Sequence, residues 1–137
     1  MKLSKDHIKV EIETAAGLVA GDADAWRALQ EAEEKFSNPL FGPDFFQAVG
    51  RVRNDARVAI FRCGTEAAGF LPFHARGFGL ARPIGAPFSD YQALVSKRDI
   101  RISGRYALRL AGLSAFRSNG MVDPYGLFGA ATDPADQ

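Results

Sequence analysis

The sequence predicts an α+β fold, a mixed β-sheet flanked by helices, and three observations carry that prediction. Ile8, Val10 and Ile12 alternate with Lys9, Glu11 and Glu13, the period of a half-buried strand. Two helical stretches follow, one over about 22–36 and one starting at Pro43. After them come two apolar runs too short for helices, 57–63 and 67–75, joined by the hairpin signal Gly64-Thr65-Glu66. The resulting order is β-α-α-β-β-β-α with a further strand after it. There is no internal repeat and no low-complexity block. A sheet with helices packed on it buries the apolar faces of such a set.

Each element has a local reason. Asp22 offers a carboxylate N-cap for the first helix, which the pattern carries to about Phe36. Trp26, Leu29 and Phe36 line one face; Asp24, Arg27, Glu31, Glu34 and Lys35 fall largely on the other, with Glu31 and Lys35 at a supportive i,i+4 spacing. Asn38-Pro39 breaks this helix, and Pro43 suits the first position of the next, whose Phe45, Val49 and Val52 share a face. Asn54-Asp55 closes it. In the two runs both faces are apolar, Val58 and Ile60 against Ala59, Phe61 and Cys63, which predicts central strands covered on both sides. Pro72 has no N–H for a ladder, so a bulge or splay is expected near it.

The glycines and prolines of 77–87 exclude a long regular element. Phe78, Leu80, Ile84 and Phe88, interleaved with them, predict an ordered, packed loop holding a short strand. Residues 93–95 add another. Tyr106, Leu110 and Leu113 mark a third helix from about Ser103, ended by Asn119-Gly120. A last strand over 121–128 is weakened by Pro124 and Gly126. Residues 1–128 read as one domain and 129–137 as a tail.

Composition narrows the function classes. With 137 residues the chain suits a single core, and its 47% hydrophobic and 24% charged residues are those of a soluble globular protein. Phenylalanine supplies 11 of the aromatic rings against 3 Tyr and 1 Trp, so the aromatics build core instead of a polar-tipped binding surface. A net charge of +1 generates no global field toward nucleic acid or an anionic membrane. The single cysteine, Cys63, excludes an internal disulfide and suits a reducing compartment. No run reaches the roughly 18 apolar residues of a membrane span, and no signal-peptide core is visible. A soluble, cytoplasmic protein with no membrane association is the expectation.

Three words occur in order along the chain: Asn38-Pro39-Leu40-Phe41-Gly42-Pro43-Asp44-Phe45, Gly69-Phe70-Leu71-Pro72-Phe73 and Pro83-Ile84-Gly85-Ala86-Pro87-Phe88-Ser89-Asp90-Tyr91. Together, and with the element order, they resemble the N-terminal half of CelD-type acetyltransferases of bacterial cellulose and exopolysaccharide biosynthesis. These are relatives of the FemAB peptidyltransferases, in which two GNAT-like halves stand in tandem. The resemblance covers roughly Trp26 to Phe116. It implies the N-terminal part of a GNAT fold and acetyl-CoA as cosubstrate, with the acyl-CoA site in the second half. The chain is accordingly expected to be the acceptor-side half, inactive alone. The alternative is a noncatalytic interaction or assembly module of a polysaccharide-synthesis system, joined to a second copy or a partner chain through an open sheet edge near Met121.

Two segments bear directly on a site. Arg76-Gly77-Phe78-Gly79-Leu80-Ala81 matches the GNAT pyrophosphate pattern Arg/Gln-x-x-Gly-x-Gly/Ala through Arg76, Gly79 and Ala81. That pattern works when turn amides and a helix N-terminus together hold a diphosphate. Pro83, Gly85 and Pro87 follow at once and exclude a helix there, so a glycine-rich turn is favoured over a cofactor site. Ser89, Asp90 and Tyr91 place a hydroxyl, a carboxylate and a phenol after a stiff Gly/Pro loop, a set suited to a small amine or sugar acceptor. Asp90 could take a proton from an ammonium group and Tyr91 could act as a general acid. The local alternative is that Asp90 and Ser89 cap a turn while Tyr91 packs its ring.

Lys97, Arg101, Arg105 and Arg109, with Arg98 beside them, would form a basic stripe if 96–117 were one helix, either as a solvated face or as a contact for an anion or a partner half. This stripe alone favours nucleic acid, and the near-neutral net charge argues against it. His7 and His74 have no metal-ligand spacing, so no metal is expected; His74 reads as a structural or edge residue and Cys63 as a buried thiol. No catalytic residue is assigned.

Overall fold

A computed structural model describes residues 8–77, 80–84, 91–100, 102–113, 115–116 and 120–128. The chain runs β1 (Ile8–Thr14), α1 (Ala20–Glu31), 3₁₀ turns at Glu34–Phe36 and Pro39–Phe41, α2 (Pro43–Val52), β2 (Ala56–Cys63), β3 (Glu66–Ala75) and β4 (Leu80–Pro83). It continues with β5 (Tyr91–Ala93), β6 (Val95–Ser96), α3 (Gly104–Leu110), β7 (Ala115–Phe116) and β8 (Gly120–Val122). The main sheet has the order β1-β2-β3-β4-β7, antiparallel except for the β4–β7 pair, and β6 joins β3. This is the expected mixed sheet flanked by helices. The strand expected at 93–95 divides at Leu94 into β5 and β6. Met121 lies in β8, which pairs parallel with β5 in a separate two-stranded ribbon and does not continue the main sheet.

Each face of the sheet carries its own core. On one, α1, α2 and the 3₁₀ turns cover Val58, Ile60, Phe70 and Val95 with Trp26, Phe36, Phe41 and Phe46. On the other, α3 and the segment before it cover Ala59, Phe61, Leu71 and Phe73 with Ile100, Ile102 and Ala107. Covering on both sides is why β2 and β3 read as nearly continuous apolar runs.

A bulge makes the two cores compatible. The hairpin turns at Gly64, in the left-handed region at φ 64°, which glycine adopts without a Cβ clash. Cys63 then faces Glu66 and Arg62 faces Ala67, but Phe61 faces Gly69, so Ala68 is the extra residue. The slip puts Phe70 on the Trp26 side and Leu71 on the α3 side. The bulge expected near Pro72 is therefore four residues away, near the turn. Pro72 sits opposite Val58 in regular register. Ala75 donates to Asp55 O (2.8 Å), so its amide points at β2, and alternation turns the position of residue 72 the other way. There β6 has ended opposite Phe70 and β4 has yet to begin at Phe73, and a missing N–H costs no ladder bond.

The helices depart from expectation at their ends. α1 is capped by Val19 without a side-chain bond and stops at Glu31, so Glu31 and Lys35 do not share a helix. Asp22 lies inside the first turn, where its carboxylate receives both Arg62 Nη groups at 3.1 and 2.7 Å; Arg62 Nε also donates to Glu11 at 2.5 Å. The clamp ties α1 to β1 and β2, and its carboxylates raise the Arg62 pKa. In α2, Pro43 takes the first turn as expected, but Phe46 is the buried anchor; Phe45 and Val49 are half-buried and Val52 is 80% exposed. α3 is shorter than expected. Gly112, at φ 77°, closes it with Leu113 N–H on Leu108 O (2.8 Å) and Gly112 N–H on Arg109 O (3.0 Å), the Schellman pattern. Among the described residues no helix is long and apolar enough to cross a membrane.

Candidate functional site

An open cleft of about 580 Å³ lies where α1 meets the 39–45 segment. The sequence builds it from breakers. Asn38 Oδ1 accepts from Leu40 N–H (3.0 Å) to cap the 3₁₀ turn, and Gly42 and Pro43 start α2 from an extended residue. Gln30 Nε2 donates to the carbonyls of Phe36 (2.8 Å) and Asn38 (3.2 Å) and closes the floor. Trp26 Nε1 donates to the Phe41 carbonyl (2.8 Å) and anchors the same segment from below.

Charged groups crown this cleft. Arg27 reaches Asp44 Oδ1 at 2.6 Å and Asp24 Oδ1 at 2.9 Å, and both carboxylates stay mostly exposed. The Asp44 hydrogen bond is the largest influence raising the Arg27 pKa. Glu31 stands on the lining beside them, so the rim holds more carboxylate than guanidinium. Such a rim attracts a cation or an amine and repels a phosphate.

A second polar cluster lies at the far end of the β2–β3 ladder. His74 is fully buried, with 0% exposure, opposite Ala56 on the α1–α2 side of the sheet. Its Nδ1 is 2.8 Å from Asp55 Oδ1. Burial raises the Asp55 pKa, but the hydrogen bond from His74 and the Arg53 guanidinium outweigh it, and the net shift is down. An ionised Asp55 only accepts, so His74 Nδ1 carries the proton. Arg53 Nη2 lies 3.0 Å and Arg76 Nη1 3.9 Å from the other Asp55 oxygen. Burial depresses the His74 pKa; Asp55 opposes that shift and the two arginines add to it. His74 is thus a neutral imidazole fixed in one tautomer. It lies in the last pair of the β2–β3 ladder, on a strand with neighbours on both sides, and so not at a sheet edge.

The sequence-predicted residues do not gather in one place. Arg76 follows β3 and Ala81 is buried in β4, where Ala75 faces Ala81. Arg76 N–H donates to Leu80 O and Leu80 N–H to Gly77 O, each at 3.0 Å, so these amides close a β-hairpin. Gly79 lies outside the described residues, as do Ser89 and Asp90; Tyr91 opens β5 opposite Gly120. The basic stripe is not one helix. Lys97 follows β6 and pairs with Glu66, Arg98 stacks over the Tyr125 ring at 5.1 Å, and only Arg105 and Arg109 share α3, both exposed. Arg101 and His7 lie outside the described residues. Cys63 is half-buried at the end of β2. Among the described residues no three His, Cys, Asp or Glu side chains gather as a metal site.

The chain matches no family model, no curated protein and no solved structure.

Sequence reasoning missed both clusters for the same reason. Arg27 and Asp44 are 17 residues apart, and Asp55 and His74 are 19 apart. The available signal for the second was a histidine within an apolar run, since a buried polar side chain needs a partner.

Proposed function

We propose that this chain is the acceptor-side half of a GNAT-like N-acyltransferase of the CelD type, working with a second half that binds acetyl-CoA. The observation that carries this reading is the cleft: the Asn38–Phe45 word, which bears much of the family resemblance, forms its wall. Its carboxylate-rich rim suits an amine-bearing or sugar acceptor and disfavours the phosphates of coenzyme A. The order of two helices, an antiparallel meander and a later helix supports the same assignment. The Arg76–Ala81 hairpin fits it too, because the amides of Arg76 and Leu80 are already committed to backbone carbonyls. Ser89, Asp90 and Tyr91 remain proposed acceptor contacts.

Calorimetric titration of the chain with acetyl-CoA is expected to show no binding tighter than about 1 μM, which is about 8 kcal/mol of binding free energy. No acetyl transfer by the isolated chain should be measurable. Submicromolar binding would place the cosubstrate site in this half and overturn the division of roles.

A further inference from the structure

β1 is a sheet edge seven residues long, and among the described residues no strand pairs with its outer side. Its outward groups follow from the ladder. Ala75 donates to Asp55 O, so the odd-numbered residues of β2 direct their N–H and C=O toward β3 and the even-numbered ones toward β1. Val58, Ile60 and Arg62 face Glu13, Glu11 and Lys9, and these three are bonded inward. Ile8, Val10 and Ile12 therefore present their backbone groups outward, while the outward Thr14 carbonyl already accepts from Gly17 N–H (3.1 Å). Edges of this length invite another strand unless bulges, prolines or charged side chains blunt them, and the charges of β1, Lys9, Glu11 and Glu13, select which strand it can take. β1 has no proline, and its register with β2 runs without a break from Ile8 to Thr14. Ile12 is 44% exposed on the α3 side of the sheet.

The strand is also complementary to itself. An antiparallel copy can bond the outward residues in registers centred on Val10, Glu11 or Ile12. Centring on Ile12 sets Glu11 against Glu13, a like-charge pair. Centring on Val10 sets Lys9 against Glu11, whose carboxylate Arg62 already holds at 2.5 Å. Centring on Glu11 sets Lys9 against Glu13 twice and Val10 against Ile12 twice. The two central Glu11 side chains then face each other, each bonded to an Arg62 that it shares with Asp22.

We propose that two copies of this chain join antiparallel through β1, with Lys9 opposite Glu13 and Val10 opposite Ile12 of the second copy, so that one sheet runs through both. The pairing covers Ile12, satisfies the outward backbone groups and adds two charge pairs. It uses no residue of the cleft and stands independently of the acyltransferase reading. It also places the open edge at β1 of the main sheet, whereas Met121 lies in the separate β5–β8 ribbon.

Light scattering on size-fractionated protein tests the pairing. The wild-type chain is expected to give a dimer mass. Ile12→Pro removes an outward N–H and an exposed apolar side chain but no bond to β2, so it should leave the circular dichroism unchanged and give a monomer. Lys9→Glu should weaken dimerisation about tenfold by creating like-charge pairs, and adding Glu13→Lys should restore it. In a Cys63→Ser background, Glu11→Cys should oxidise to a linked dimer faster than Val10→Cys or Ile12→Cys, because only residue 11 meets its own copy. A monomer at every concentration, or a dimer unaffected by Ile12→Pro, overturns the proposal. Faster linkage through Val10→Cys or Ile12→Cys overturns its register.

Discussion

Replacing Trp26 with alanine is expected to bring the protein to the edge of unfolding. Trp26 has 0% exposure and stacks on Phe70 at 5.1 Å with the ring planes 5° apart, while Phe46 lies tilted at 5.8 Å. It therefore joins α1, α2 and β3 at one point. Removing a buried tryptophan costs about 3–5 kcal/mol through lost transfer energy and the cavity left behind. The Phe41 carbonyl would also lose the indole N–H, which adds about 1–3 kcal/mol if no water replaces it. Against a total stability of about 5–15 kcal/mol for a domain of this size, little remains. Trp26→Phe separates the two contributions, since a phenyl ring keeps the stack on Phe70 but cannot donate. Urea unfolding followed by circular dichroism should place Trp26→Phe between wild type and Trp26→Ala. Equal midpoints for wild type and Trp26→Ala would mean that this face of the sheet is not held by the tryptophan. Because Phe41 belongs to the segment that walls the cleft, Trp26→Phe should also loosen that wall, seen as faster amide exchange at Phe41 and Gly42.

The parts of this fold that were legible in the sequence are those set by short-range pattern. The alternation of β1, the Gly64-Thr65 turn and the proline at the start of α2 each act within a few residues, and each predicted the element found. The errors have longer-range causes. Phe45 and Phe46 are adjacent on α2, and helical spacing from either gives an apolar face; contact with Trp26 decides for Phe46 and leaves Val52 in solvent. Asp22 has the chemistry of an N-cap, but Arg62, 40 residues away, claims its carboxylate and the cap falls to Val19. The end of α3 was readable: Gly112 follows Leu110 by two residues, and a glycine there is a stop signal that the apolar Leu113 obscured.

The Asp55–His74 pair shows how nearly the second cluster could have been found. Counting back from the Cys63–Glu66 closure of a regular hairpin sets Asp55 directly across from His74. The bulge at Ala68 slips the register by one, placing Ala56 there instead, and the Asp55 side chain still reaches the imidazole. A hairpin count alone would have joined them. The cleft was harder, because no local rule folds Asp44 at the start of one helix against Arg27 in the middle of another.

Acid should destabilise this protein in two stages, and the first belongs to His74. Its folded pKa lies below the ordinary histidine value of about 6.5, so between that value and the folded pKa the unfolded chain binds a proton that the folded chain refuses. Stability consequently falls as pH drops through this window, with a slope of at most about 1.4 kcal/mol per pH unit for one proton. The second stage is set by Asp55, whose pKa is depressed in the fold. Its contribution is present above the usual carboxylate range and is lost as pH falls through the folded value. Urea midpoints measured from pH 7.5 down to 5 should decline for the wild-type chain. Asp55→Asn removes a carboxylate that raises the His74 pKa, so the decline should continue to lower pH. It also exchanges an ionised acceptor for a neutral amide at a buried imidazole, costing about 1–3 kcal/mol at pH 7.5. His74→Gln should be less stable than wild type at neutral pH yet lose the slope between pH 6.5 and 5, a signature that general loss of packing does not produce. A wild-type midpoint that is flat over that range would show that the fold accommodates an imidazolium between Asp55, Arg53 and Arg76. The carboxylate would then be dominating the two guanidinium groups and the burial that oppose it.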